Sequence, residues 1–164
     1  MKPLTTKERH DFERQGKTPL HLAVIEGNLE EVRRLVAEAW KGDAPIGNTV
    51  DAEDAHGNRP LHEVFLHARE RDFSEDEKII EFLCTDRGGS ADPNARNHAL
   101  ATPLQLAAEY RQLNLLVVLR DYGGSPNIPD GDGFSAVHLA ENQDWQEGVD
   151  FLARSGGLRW GEWP

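Results

Sequence analysis

The chain has 164 residues, 38% of them hydrophobic and 29% charged, and 18 Lys and Arg against 29 Asp and Glu give a formal net charge of −11. This is the size and composition of one soluble globular domain, not of a disordered or membrane-embedded chain. So acidic a surface repels phosphate backbones and anionic headgroups, which argues against nucleic acid or membrane as the main partner and suits a basic protein. The single cysteine, Cys84, has no internal disulfide partner, so a reducing, cytoplasmic setting is expected. Met1 to Arg9 is charged with no apolar run behind it, which predicts no secretion signal. No stretch approaches the roughly 18 apolar residues of a spanning helix.

In chain order, the first predicted element is a short capping helix between Leu4 and Phe12, starting near Thr5 or Thr6. After it, four segments share one pattern: Gly16-Lys17-Thr18-Pro19-Leu20-His21-Leu22-Ala23, Gly57-Asn58-Arg59-Pro60-Leu61-His62-Glu63-Val64, Ala101-Thr102-Pro103-Leu104-Gln105-Leu106-Ala107-Ala108 and Gly133-Phe134-Ser135-Ala136-Val137-His138-Leu139-Ala140. Thr18 and Thr102 suit the N-cap of a helix, where a hydroxyl accepts an orphan backbone N–H. Pro19, Pro60 and Pro103 follow at the first helical position, where a missing N–H costs nothing. Arg59 replaces the Thr in the second copy, so that cap is lost. Gly27 is expected to end the first helix of copy one in the left-handed conformation. Copy four has Asp144 at the same place.

A second helix is predicted in each copy from its apolar period. The inward residues are Leu29, Val32, Leu35 and Val36; then Ile79, Ile80, Phe82 and Leu83; then Leu113, Leu116, Val117 and Leu119; and last Val149, Phe151 and Leu152. Turn-rich stretches follow, at Val50-Asp51-Ala52, Ala91 to Ala95 and Ser125-Pro126-Asn127.

The pattern resembles the T-P-L-H-x-A signature of the ankyrin repeat, a β-turn and two antiparallel helices recurring every ~33 residues. The Thr-type positions 18, 59, 102 and 135 are spaced by 41, 43 and 33. Two copies therefore carry insertions, placed at Trp40 to Thr49 and around Arg69 to Asp76, with a few more residues at Arg87 to Ser90. Ser74 with Glu77 three residues later reads as the capping box of the second helix in copy two. The resemblance covers about residues 12–157. It implies an all-α solenoid of about four helix-turn-helix repeats joined by β-hairpin-like loops: a cap over 1–12, repeats over 13–53, 54–96, 97–129 and 130–157, and a tail over 158–164. It also implies that the motif histidines tie adjacent turns together. Trp160 and Trp163 in the tail are expected to fold over the last helix pair; as an exposed aromatic peptide they would be gripped by a partner.

Catalytic signals fail on spacing. His62 and His67 stand five residues apart, about 500° of helical rotation, so their rings point about 140° apart rather than to one zinc ion. Asp130-Gly131-Asp132-Gly133 opens like a calcium loop but lacks the later ligands. Cys84 reads as a packed side chain without a positioned base. No catalytic residue, metal or cofactor is expected.

The family presents variable residues on its concave side and hairpin tips to protein partners. Carried over by position, the partner-binding candidates are Glu53, Asp54, His56, Asn58, His67, Arg96, His98, Glu109, Tyr110, Asp130, Asp132, Phe134 and Asn142, with Ala99 and Leu100 at the third tip. Tyr110 and Phe134 are the expected anchors, and the tip carboxylates the expected steering charges for a basic partner. His56, His67 and His98 suggest pH-dependent binding. The expected function is a non-catalytic, monomeric adaptor or regulator. An inhibitor of the immunity-protein type is the alternative. A hydrolase built from Cys84, His67 and the 69–76 insertion, or a secreted effector, ranks below both.

Overall fold

The computed structural model describes residues 5–41, 49–68 and 73–157. Two units divide the chain, residues 1–92 and 93–164. Among the described residues all regular structure is helical, so the fold class is all-α.

The first unit starts with α1 (Thr6–Arg14), whose N-cap Thr5 and Glu8 form a reciprocal capping box. This is the predicted cap helix, two residues longer at its end. Next come α2 (Pro19–Ile25), α3 (Leu29–Trp40), α4 (Pro60–His67) and α5 (Phe73–Cys84), closed by a 3-10 turn at Asp86–Gly88. Inner helix α2 packs on α4, and outer helix α3 on α5. Leu20, Val24, Val32, Leu61, Val64, Phe65, Ile79, Ile80 and Leu83 fill the core between them. Helix α5 begins one residue ahead of Ser74, so Ser74 lies within the first turn and the predicted capping box is corrected. Phe82, expected to face inward, is only half-buried. The insertion residues 42–48 and 69–72 lie outside the described residues.

The second unit repeats the plan with α6 (Pro103–Glu109), α7 (Leu113–Asp121), α8 (Ala136–Asn142) and α9 (Gln146–Arg154). Helix α6 packs on α7 and α8, and α8 on α9. The buried stripe of α7 is Leu115, Leu116 and Leu119. It is rotated from the expected face, leaving Leu113 and Val117 half-buried. Asn94 stitches this unit internally: its amide donates to the Gly123 carbonyl at 3.0 Å and accepts the Ser125 N–H at 2.7 Å. Asn127 donates to the Gly156 carbonyl at 2.7 Å in the equivalent place one repeat later.

Every first helix opens the same way. The N-cap backbone N–H donates to the side chain three residues on: Thr18 to His21 Nδ1, Arg59 to His62 Nδ1, Thr102 to Gln105 Oε1 and Ser135 to His138 Nδ1. Arg59 therefore loses the hydroxyl cap but keeps the reciprocal bond. Gly27 is left-handed (φ 63°), as expected. Arg111 (φ 54°) and Asp144 (φ 52°) hold that conformation in copies three and four despite their side chains.

Candidate protein-binding face

The loops before α4, α6 and α8 share a built geometry. In each, an Asp or Asn opens a tight turn: Asp54 Oδ1 accepts from the N–H of His56 (2.8 Å) and Asn58 (2.9 Å). Asn97 Oδ1 accepts from Ala99 and Ala101, both at 3.0 Å. Asp130 Oδ1 accepts from Asp132 (3.0 Å) and Phe134 (2.8 Å). A short side-chain acceptor bonding its own backbone two residues on is what fixes such a turn. Each loop closes on itself, as Asp54, Asn97 and Asp130 donate their own N–H to the carbonyls of Asn58, Ala101 and Phe134. Neighbouring tips inside each unit are joined by one backbone bond, Ala55 N–H to Gln15 O at 2.8 Å and Gly131 N–H to Ala99 O at 3.0 Å.

Three candidates turn out to be structural parts of these tips. Asp54 and Asn58 are buried, a correction of their place on the partner face. The Asp54 carboxylate meets Lys17 Nζ at 2.7 Å, and that ammonium meets Glu63 Oε1 at 2.5 Å. Burial alone pushes both carboxyls up, but Lys17 and backbone N–H groups at Asp54, and His67 and Lys17 at Glu63, outweigh it and hold them below the usual range. Arg96 is exposed, yet its guanidinium donates to the Leu100 carbonyl at 3.0 Å and the Pro129 carbonyl at 2.6 Å, so it braces its own unit.

In the first unit, Glu53 and His56 are exposed, with Glu53 3.4 Å from Arg59. His67 is half-buried: its Nε2 stands 3.2 Å from Glu63 Oε2, and the Phe12 ring meets it edge-on at 5.9 Å. In the second unit, His98, Asp132, Glu109 and Asn142 are exposed, while Asp130, Tyr110 and Phe134 are half-buried. The ends of α6 and α8 are joined by Gln143, which donates to the Glu109 carbonyl at 2.9 Å. The second unit thus carries two tied tips and two tied helix ends.

Leu100 was not singled out as an anchor by the sequence. It is 43% exposed and left-handed, with φ 60°. Gly16, Gly57 and Gly133 hold the same turn position, at φ 75°, 72° and 86°. A γ-branched side chain there is strained in a way glycine is not. The sequence signal is that an apolar residue stands where the other copies have Gly16, Gly57 and Gly133.

The hydrolase candidates are placed elsewhere in character. Burial, with Asp92 nearby, pushes the Cys84 thiol up to about 12, the opposite of what a nucleophile needs. His67, the histidine of that reading, stands 3.2 Å from Glu63 Oε2, and residues 69–72 of the insertion lie outside the described residues. Trp160 and Trp163 lie outside the described residues. No helix among the described residues is long and apolar enough to cross a membrane.

Comparison with known proteins gives two family matches, "Ankyrin repeats (many copies)" over residues 86–140 and "Ankyrin repeat" over residues 15–51. The human B-cell lymphoma 3 protein is 32% identical over 146 residues, 86% of this chain and 29% of that protein. Mouse Rabankyrin-5 is 28% identical over 151 residues, 92% of this chain and 12% of that protein. The palmitoyltransferase AKR1 of Lachancea kluyveri is 26% identical over 132 residues, covering 77% of this chain and 16% of the enzyme. The chain spans less than a third of the length of each of these relatives.

Proposed function

Since the chain belongs to the ankyrin-repeat family, we propose that it is a non-catalytic module that binds a protein partner of basic character through its hairpin tips and adjoining helix ends. The observation that carries this reading is Leu100, an exposed leucine held in a glycine's conformation at the tip beside Ala99. Backbone strain of this kind clusters at functional sites, and an exposed apolar group next to His98, on a tip bonded to the following one through Ala99 and Gly131, fits a contact with a polar rim. Glu53, Asp132 and Glu109, set on a chain of net charge −11, support a basic partner. Since the Asp54 carboxylate is buried against Lys17, the steering field comes from these others and from the net charge.

The test is affinity capture from the native host lysate with wild type, Leu100→Gly and the Tyr110→Ala/Phe134→Ala pair. One protein held by wild type and lost by both variants supports the face. An identical catch from all three overturns it. The identity of the captured protein separates an adaptor from an inhibitor of a toxic partner.

A further inference from the structure

On the outer helices of the first unit, α3 and α5 enclose a hollow of about 540 Å³ lined by Arg33, Ala37, Trp40, Phe82 and Arg87. We propose that this hollow is a second docking site, separate from the hairpin tips, and that it takes an acidic peptide segment of another protein carrying an apolar side chain.

Three observations lead there. The lining has two guanidinium groups and no carboxylate, on a chain with eleven more acids than bases. Trp40 is 63% exposed, the most exposed large apolar residue among those described, and it stands beside half-buried Phe82. The Arg33 guanidinium lies 5.7 Å over the Phe82 ring, an arrangement that keeps the cation in place while leaving its edge for a carboxylate.

The other cations of α3 and α5 are engaged. Arg34 is occupied by Glu31 and Glu38, and Lys78 by Glu75 at 2.7 Å. Arg33 shares its charge with Glu30 at 3.2 Å, an exposed pair that competes weakly. Arg87 is exposed, with no ion pair among the described residues. An adjoining hollow of about 470 Å³ shares Arg33, Phe82 and Arg87 but adds Glu81 and Asp86, so the acid-accepting end is the one toward Trp40. A basic segment would face two arginines there, and a purely apolar one would leave them without counter-charge. An apolar side chain against Trp40 and Phe82 with flanking carboxylates on Arg33 and Arg87 satisfies both features.

The probes are three sets of short fluorescein-labelled peptides with the same Leu, Phe and Trp positions, spaced by Asp/Glu, by Gln or by Lys. Binding is read by fluorescence anisotropy. Wild type is expected to bind the acidic set at least about tenfold more tightly than the Gln set, and the Lys set least. Arg87→Glu and Trp40→Ala should each weaken the acidic set by about tenfold, while Arg87→Lys keeps most of the affinity. Both residues are exposed, so an unchanged thermal midpoint verifies the fold. Leu100→Gly should bind these peptides as wild type does, so failure here and failure of the tip face are told apart. Equal affinity for the three sets, unchanged affinity in Arg87→Glu, or no binding together with self-association that Trp40→Ala abolishes would each overturn the proposal.

Discussion

Gln105 does in the third repeat what His21 does in the first. His21 Nδ1 accepts the Thr18 N–H at 3.1 Å and Nε2 donates to the Asn58 carbonyl at 2.9 Å. Gln105 Oε1 accepts the Thr102 N–H at 2.7 Å and Nε2 donates to the Phe134 carbonyl at 2.6 Å. An imidazole and a carboxamide thus present one acceptor and one donor across the same gap, but only the imidazole titrates.

That difference is testable. Burial lowers the His21 pKa from its ordinary 6.5, so the unfolded chain binds the proton first. Stability contributed by neutral His21 is full above about pH 6.5 and is lost as pH falls through the lower folded value. His21→Gln should keep neutral-pH stability within about 1 kcal/mol and show a shallower decline from about pH 7 to about pH 5 in denaturant unfolding. An unchanged slope would refute the assignment.

Lys17 holds two buried carboxylates. Lys17→Met should cost about 3–5 kcal/mol at neutral pH by leaving Asp54 and Glu63 without their shared cation. The pH dependence should also become shallower. In wild type both carboxyls are depressed, so acidification through their range removes stability. In the variant burial is opposed only by the Asn58 and His56 N–H groups at Asp54 and by His67 at Glu63, so both carboxyls rise and the loss on acidification should be smaller. Urea midpoints across that range decide it.

Leu100→Gly should raise stability by about 1 kcal/mol by relieving a left-handed leucine. Together with loss of partner capture, this is the signature of a residue kept for contact rather than for folding. A lower thermal midpoint would mean that the leucine packs in a way its exposure does not suggest.

Gly148 lies in the first turn of α9, where propensity predicts that alanine gains about 1 kcal/mol. A Cβ there would overlap the Trp145 ring. Gly148→Ala should therefore lose about 1–3 kcal/mol and alter the near-ultraviolet signal of Trp145 as the ring is displaced.

Leu104, with 0% exposure between α6 and its neighbours, should cost about 2–5 kcal/mol when cut to alanine. A midpoint shift too small to resolve would break the register of the third repeat.

Much of the candidate face was legible only in part. The tips could be placed because they precede a recognisable cap, yet Asp54 and Asn58 were read as surface. Nothing in a string of residues says that the ammonium of Lys17, 37 positions away, turns one tip carboxylate inward. The bracing bond of Arg96 is hidden for the same reason, since its carbonyl partner at Pro129 lies 33 residues on.

By itself the sequence determined the repeat, the helices and most buried positions, because capping residues, Pro at the first turn and apolar period act over a few neighbours. The rotation of α7, the half-buried setting of Phe82 and the hollow it forms with Trp40 and Arg87 were decided by tertiary structure. These depend on which helix stacks against which, and packing across tens of residues overrides local preference by the area it buries.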